Sequence, residues 1–490
     1  MDLIEVRRGV YHDSVSLMQA SRTVQQVPGV SAALVAMATE LNLELLAGMG
    51  FAPPTDTGPN DLVVALRAGD DAVAQAALAA LAEALRPVRA AAGSGGFDDA
   101  PARTTGSAAR AAGGTVALIS VPGRYAYVEA MDALDAGLSV LLFSDGVPVD
   151  QEVRLKDEAG ARDLLLMGPD CGTAIIGGVG LAFANVIRPG PVGIVAASGT
   201  GAQQLCCLLD AAGVGISHVL GVGGRDLSSE VAGRSSMQAL AALDADPATK
   251  VVVVVSKPPA AEVAGAVERA AAAMSTPVVL GLLGEGRPDL TAVALEVAAR
   301  VGAGEPTWPQ WPVEQEPRPG RLRGLFCGGT LCDEAMLIAT AALGRIASNI
   351  PLQPDWALPA NLRDEGHLMI DFGDDRLTAG RPHPMIDPSL RTERLLAEGA
   401  DPATGVVLLD VVLGHGAHAD PAEELAPAIA AARQSAGDAG RDLAVVVSLC
   451  GTAGDPQNRD HQAEALHAAG ASVFASNAMA ARHAVGLVAP

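Results

Sequence analysis

Two short turns in this sequence carry the residue types that bind anions. The first is Ser198-Gly199-Thr200-Gly201 and the second Gly328-Gly329-Thr330-Leu331. Each follows an apolar run, Val192–Ala196 or Leu322–Cys327, and each precedes a helical pattern starting at Ala202 or Cys332. A strand that turns tightly into a helix aims the helix's free N–H groups and positive dipole end at the crevice above the sheet. Glycine lets the backbone approach a ligand closely, and a Ser or Thr hydroxyl adds a donor. One helix end contributes only about 0.3–2 kcal/mol toward an anion. A strong phosphate or acyl-phosphate site therefore needs the two ends to converge, with Arg225 as an added cation. Taken singly, each turn reads equally well as a plain connection between strand and helix.

The turns are matched landmarks of an internal repeat. Each unit continues to a second strand that ends in a Gly/Asp turn: Gly221-Val222-Gly223-Gly224-Arg225-Asp226 in one, Asp371-Phe372-Gly373-Asp374-Asp375 in the other. Each then reaches a very apolar third strand, Val251–Ser256 or Val406–Leu413. The expected phosphate and substrate site is therefore Ser198, Gly199, Thr200, Gly223, Gly224, Arg225, Gly328, Gly329 and Thr330, with Asn185 and Asp226 positioning the acceptor. Asp371, Asp374 and Asp375 can hold Mg²⁺ or a substrate amide, or simply cap turns. The proline-braced loop Gly380-Arg381-Pro382-His383-Pro384 offers Arg381 and His383 as catalytic groups, or a structural corner. His415 and His418 have no third ligand close in sequence, so no metal centre is expected. Cys171 has no evident activating base.

The elements that must position these residues follow from pattern. From Thr115 onward short apolar runs alternate with helical stretches, which implies α/β architecture with parallel, doubly wound sheets and ligands at the carboxyl ends of the strands. The expected organisation is a small α+β module (1–90), a linker rich in Ala, Gly, Ser and Thr (91–113), and α/β domains at 114–188, 190–303 and 321–490. A Pro/Trp linker (304–320) separates the last two. Aromatic residues are only 3% of the chain, so the cores are expected to be Ala, Val, Leu and Ile packed closely on sheets. Acidic residues outnumber basic ones 56 to 33, which argues against nucleic-acid and membrane-surface roles. The six cysteines form no metal-ligand spacing or disulfide framework, MDLIEVRRGV is no signal peptide, and runs such as Val251–Val255 are too short to span a bilayer. A cytoplasmic protein is expected.

Several runs carry a family resemblance: Met167-Gly168-Pro169-Asp170-Cys171-Gly172-Thr173, Phe183-Ala184-Asn185, Ala197-Ser198-Gly199-Thr200-Gly201, Gly223-Gly224-Arg225-Asp226-Leu227-Ser228, Ser256-Lys257-Pro258-Pro259, Gly380 through Pro388, and Leu408 through Gly414. They resemble the FdrA family of the NDP-forming acyl-CoA ligase superfamily, of which succinyl-CoA synthetase is the familiar member. The resemblance implies a Rossmann-like CoA-binding-type domain followed by two flavodoxin-like domains of the succinyl-CoA-synthetase type, without the ATP-grasp domain. It also marks departures. The phosphorylated histidine of the ligases has no counterpart in Gly281-Leu282-Leu283-Gly284-Glu285-Gly286, and Ser256-Lys257 stand where its supporting glutamate would be. The Gly-rich loop of the CoA-binding domain is not recognisable before Thr115, which argues against CoA. Through the FdrA family the resemblance implies a small phosphorylated substrate and partner subunits, as one subunit of oxamate carbamoyltransferase in allantoin breakdown. Alternatives are an acyl-CoA synthetase subunit, or a non-catalytic subunit sensing a phosphorylated metabolite.

Overall fold

The computed structural model describes residues 1–10, 12, 14–86, 102–378 and 382–488. The chain divides into two units, Met1–Arg103 with Thr378–Pro382, and Thr104–Leu377 with His383–Pro490.

The first unit is built on a three-stranded antiparallel sheet in which Leu62–Ala68 lies between Asp2–Arg7 and Val30–Met37. The central strand is apolar at nearly every step because both of its faces are covered. Leu62, Val64 and Leu66 pack with Leu17, Val24, Ala77 and Leu81, while Val63 and Ala65 pack with Leu46 and Phe51. The second cluster requires a helix that the sequence pattern did not reveal, Glu40–Gly48, capped by the Thr39 hydroxyl.

The second unit holds three further sheets, and two sequence expectations change here. Part of the expected linker is a helix, Thr105–Ala112. Thr104 and Ser107 form a capping box, Gly113 ends the helix in a left-handed conformation, and Asp132 accepts from Gly106 N–H at 2.6 Å. The 91–101 part of that linker lies outside the described residues. The expected 114–188 domain is not self-contained either. Its strands Val116–Ile119, Ser139–Leu142 and Leu166–Met167 make only a small parallel sheet. The hairpin Thr173–Ile176/Val179–Ala182 leaves it and pairs antiparallel with Ile216–Gly221 in the next sheet. Sheet membership follows register across long separations, which local pattern does not encode.

The repeat is real at the level of topology. In the second domain Pro189–Ala197 lies between Ile216–Gly221 and Val251–Ser256, with Val278–Leu282 beyond, all parallel. In the third, Arg321–Phe326 lies between His367–Asp371 and Thr404–Val412, with Ala444–Cys450 and Ala471–Phe474 beyond. A strand absent from the sequence reading, Ile346–Ser348, extends the third domain's sheet. The Pro/Trp stretch is docked: Gln310–Trp311 pairs with the Ala471–Phe474 edge, and Trp308 Nε1 donates to Leu208 O at 3.2 Å. Among the described residues no helix is long and apolar enough to cross a membrane.

Candidate functional site

The two Gly-Thr turns meet. Ser198 N-caps the helix Gly199–Ala211 by accepting from Gly201 N–H at 2.9 Å, and the same hydroxyl donates to Thr330 Oγ1 at 2.6 Å. Thr330 stands in the first turn of the partner helix, Gly329–Leu343. Two glycines permit this approach. A Cβ on Gly328 would stand 2.8 Å from Thr200 Oγ1, and one on Gly201 would stand 2.5 Å from Ser198 Oγ. The N–H groups of Gly199 and Thr200 in one helix, and of Gly329, Thr330 and Leu331 in the other, have no acceptor among the described residues. Two helix ends, each with free donors and a positive dipole end, thus meet at the Ser198–Thr330 hydrogen bond, and such ends favour an oxyanion.

Buried ion pairs brace the Gly328 turn and the neighbouring Gly223–Gly224 turn. In the third domain the Asp410 carboxylate accepts from Cys327 N–H at 2.7 Å and Gly328 N–H at 2.9 Å, and Arg391 donates to it at 2.9 Å. On the other side Lys156, fully buried, pairs with Asp226 at 2.7 Å and Glu152 at 2.8 Å. Asp226 also accepts from Ser235 N–H, Ser236 N–H and the Ser236 hydroxyl.

That network reassigns several residues. Asp226 has every lone pair engaged away from the crevice, so it braces the Gly223–Gly224 turn instead of touching an acceptor. Asn185 is likewise committed: its amide donates to Leu413 O and Asp455 and accepts from Gln203, tying the second domain to the third. Ser198 holds the cradle together, and the hydroxyl hydrogen left for a ligand belongs to Thr330. Arg225 reaches Val147 O at 2.7 Å and Glu152 at 2.9 Å. Lys257 makes no hydrogen bond or ion pair among the described residues, and its Nζ lies 3.7 Å from where a Gly224 Cβ would stand. Arg381 lies outside the described residues. His383 is beside Gly373, with Met385 N–H donating to its Nδ1 at 3.2 Å. Burial and then the Arg391 charge push its imidazole down to about 4, so at neutral pH the ring is neutral and carries its proton on Nε2.

Around the second helix end the chemistry is acidic. Asp371, whose Oδ2 lies 2.9 Å from a Gly329 Cβ position, accepts from Gly373 N–H at 2.9 Å. Burial pushes its carboxyl up to about 7 against that hydrogen bond, with Asp410 and Asp333 adding repulsion. Asp333, one turn inside the helix and 7% exposed, makes no hydrogen bond or ion pair. Burial pushes it too to about 7, with Lys257 pulling the other way. Asp371 was among the residues expected at the site, and Asp333 is the titratable group that sequence reasoning did not find. Among the described residues no His/Cys/Asp/Glu group has a metal-holding arrangement. Burial pushes the Cys171 thiol up to about 12, away from nucleophile chemistry.

With the geometry in place, the likeness to known proteins is informative. A CoA-ligase model matches residues 325–487 and a CoA binding domain model matches 187–281. A model described as AllF, heavy metal-associated domain, matches 1–101. The first cysteine of the chain is Cys171, so the residues of that segment do not fit a thiolate-bound metal. The uncharacterized protein YahF of Escherichia coli (strain K12) is 38% identical over 498 residues, covering 97% of this chain and 96% of YahF. The succinate–CoA ligase [ADP-forming] subunit alpha 2 of Archaeoglobus fulgidus is 35% identical over 183 residues, covering 35% of this chain and 60% of that subunit. The malate–CoA ligase subunit alpha of Methylorubrum extorquens is 29% identical over 162 residues, covering 31% of this chain and 53% of its own. The chain thus spans little more than half the length of the ligase alpha subunits it matches.

Proposed function

Because this chain belongs to the FdrA-type family that includes YahF, within the CoA-ligase superfamily and with an AllF-like amino-terminal domain, we propose that it is an enzyme subunit that handles an acyl or carbamoyl phosphate in the crevice between its two helix ends. The observation that carries this reading is the 2.6 Å contact between Ser198 and Thr330, which brings both sets of free N–H groups to one place. The phosphoryl end of the ligand lies against Gly199, Thr200, Gly329 and Thr330, with Lys257 balancing its charge.

The finer reading is carbamoyl transfer to oxamate. The amide nitrogen attacks the carbonyl carbon of carbamoyl phosphate, the bond from that carbon to the phosphate oxygen breaks, and phosphate leaves with the electron pair. The nitrogen loses one proton, for which Asp333 is the buried acceptor that no other group occupies. Such a transfer needs neither ATP nor a phosphohistidine, which suits a chain without histidine from 256 to 303. Binding the leaving phosphate and polarising the carbonyl are what the helix ends supply. The ligase relatives act as alpha subunits, and this chain is read as assembling with further subunits in the same way.

A second reading has its own support. The CoA binding domain match falls on 187–281, and the matched alpha subunits belong to CoA ligases. Under it the chain is a subunit of an NDP-forming acyl-CoA synthetase. Calorimetric titration with carbamoyl phosphate and with CoA separates the two. Carbamoyl phosphate binding that disappears in Thr200→Val/Thr330→Val, without CoA binding, supports carbamoyl transfer. CoA binding alone removes it in favour of the synthetase.

A further inference from the structure

The cleft beside the first helix end contains a hydroxyl with nothing to do. Thr173 opens the strand Thr173–Ile176, immediately after the turn Gly168–Gly172. Its side chain is 3% exposed, and its Oγ1 has no hydrogen-bond partner among the described residues. Its backbone is well used: the Thr173 carbonyl accepts from the Cys171 thiol. It also lies only 2.3 Å from where a Gly221 Cβ would stand. The residue is thus fixed by neighbours that cannot yield, while the polar end of its side chain is left over. That end points at the helix. A Cβ on Gly199 would be 3.5 Å from Thr173 Oγ1, so the hydroxyl adjoins the residue whose N–H is the first free donor of Gly199–Ala211. Asp170, Gly172, Ser198, Gly223 and Gly224 line the same polar cleft.

A buried hydroxyl without a partner is costly, and native proteins keep one where something outside the chain completes it. Valine has nearly the same shape and would remove that cost. We propose that Thr173 is an anion-binding residue of the cradle, its hydroxyl donating to an oxygen of the phosphoryl group that the Gly199 and Thr200 N–H groups also hold. This rests on the cradle being an anion site, and it extends that site to a residue outside the repeat. Beside Gly329, the matching residue of the third domain, stands the Asp371 carboxyl instead, so the hydroxyl biases the ligand toward the first helix end.

The test is titration of the full chain with inorganic phosphate and with carbamoyl phosphate, comparing wild type, Thr173→Val, Thr173→Ser and Thr200→Val/Thr330→Val, together with the thermal unfolding midpoint of each ligand-free protein. Thr173→Val is expected to bind both probes at least roughly tenfold more weakly, the size of one hydrogen bond to a charged group. Its ligand-free unfolding midpoint is expected to equal or exceed that of wild type, and Thr173→Ser is expected to keep most of the affinity. Undiminished binding by Thr173→Val, with binding lost in the Thr200/Thr330 variant, overturns this inference and leaves the anion site standing. Undiminished binding by both variants, or none by wild type, overturns the anion site and this inference with it. A lowered midpoint in Thr173→Val would show that the hydroxyl already has a structural partner, and would overturn the inference as well.

Discussion

The two halves of the cradle share their backbone and divide their chemistry. Counting from Ser198 in one turn and Gly328 in the other, the same steps of the helix carry Gln203-Gln204 in the first half and Asp333-Glu334 in the second. All four side chains are buried. Gln203 donates to Asn185 and Leu413 O, and Gln204 to Ala475 O, so the amides stitch the second domain to the third. Glu334 stitches in the reverse direction, accepting from Leu290 N–H and Asn477 at 2.7 Å each. Asp333 alone stitches nothing. The repeat therefore supplies two equivalent donor sets, while at these steps of the helix the amides of one half are carboxyls in the other. The first half keeps the anion-facing groups Lys257 and Thr173. A duplicated fold yields a two-sided site once its side chains diverge.

The comparison breaks most sharply at the buried ion pairs, one bracing the Gly328 turn and the other the Gly223–Gly224 turn. Lys156→Met removes a cation shared by two buried carboxylates, leaving Glu152 to Arg225 and Asp226 to its Ser235 and Ser236 donors, whereas Arg391→Met removes the cation of one carboxylate, Asp410, which keeps its two backbone donors. Removing one partner of a buried pair costs roughly 3–5 kcal/mol. Lys156→Met is expected at or above the top of that range and Arg391→Met near the bottom, measured by urea unfolding. Equal losses would show that the halves are braced alike.

A smaller effect tests whether the helix ends must touch. Gly328→Ala places a methyl group within 2.9 Å of three Thr200 side-chain atoms, and overpacking of this kind costs about 1–3 kcal/mol. Gly437 lies in the exposed, open part of the helix Pro421–Asp438 with nothing within 4 Å of a Cβ. Gly437→Ala is expected to stabilise by roughly 0.5–1 kcal/mol. Phosphate binding should fall for the first variant and stay unchanged for the second. An unaltered Gly328→Ala protein would mean that the ends can part without loss.

What was legible in the sequence is the repeat and its two turns, because strand, Gly-Thr turn and helix are contiguous and each has its own period. What was not legible depends on partners far apart in the chain. Motif position put Asp226, Asn185 and Arg225 at the substrate, but their partners Lys156, Asp455 and Glu152 come from other elements, and only the packed structure shows them occupied. Thr173 was visible as a letter in a Gly-rich run, yet an unsatisfied hydroxyl is a property of surroundings. Asp333 was overlooked for a similar reason: a carboxyl in an otherwise apolar helical run stands out only when burial and the lack of a partner are known.

Asp333 also gives the mildest test of the division between halves. Its carboxyl titrates near 3.8 when unfolded and about 7 when folded, so between those values the folded protein holds a proton that the unfolded chain has released. By linkage, stability falls as pH rises through this interval, is level above it, and the contribution is fully favourable only below the unfolded value. Asp333→Asn removes that dependence, whereas Gln203→Asn, at the matching step of the other half, introduces none. Relative to wild type, Asp333→Asn is therefore expected to gain roughly 2–3 kcal/mol between pH 5 and pH 8, while the difference for Gln203→Asn stays constant. Thermal or urea unfolding at the two pH values reads both. A constant difference for Asp333→Asn would mean the carboxylate is already solvated or paired in the folded protein, and the acidic half of the cradle would lose its proton acceptor.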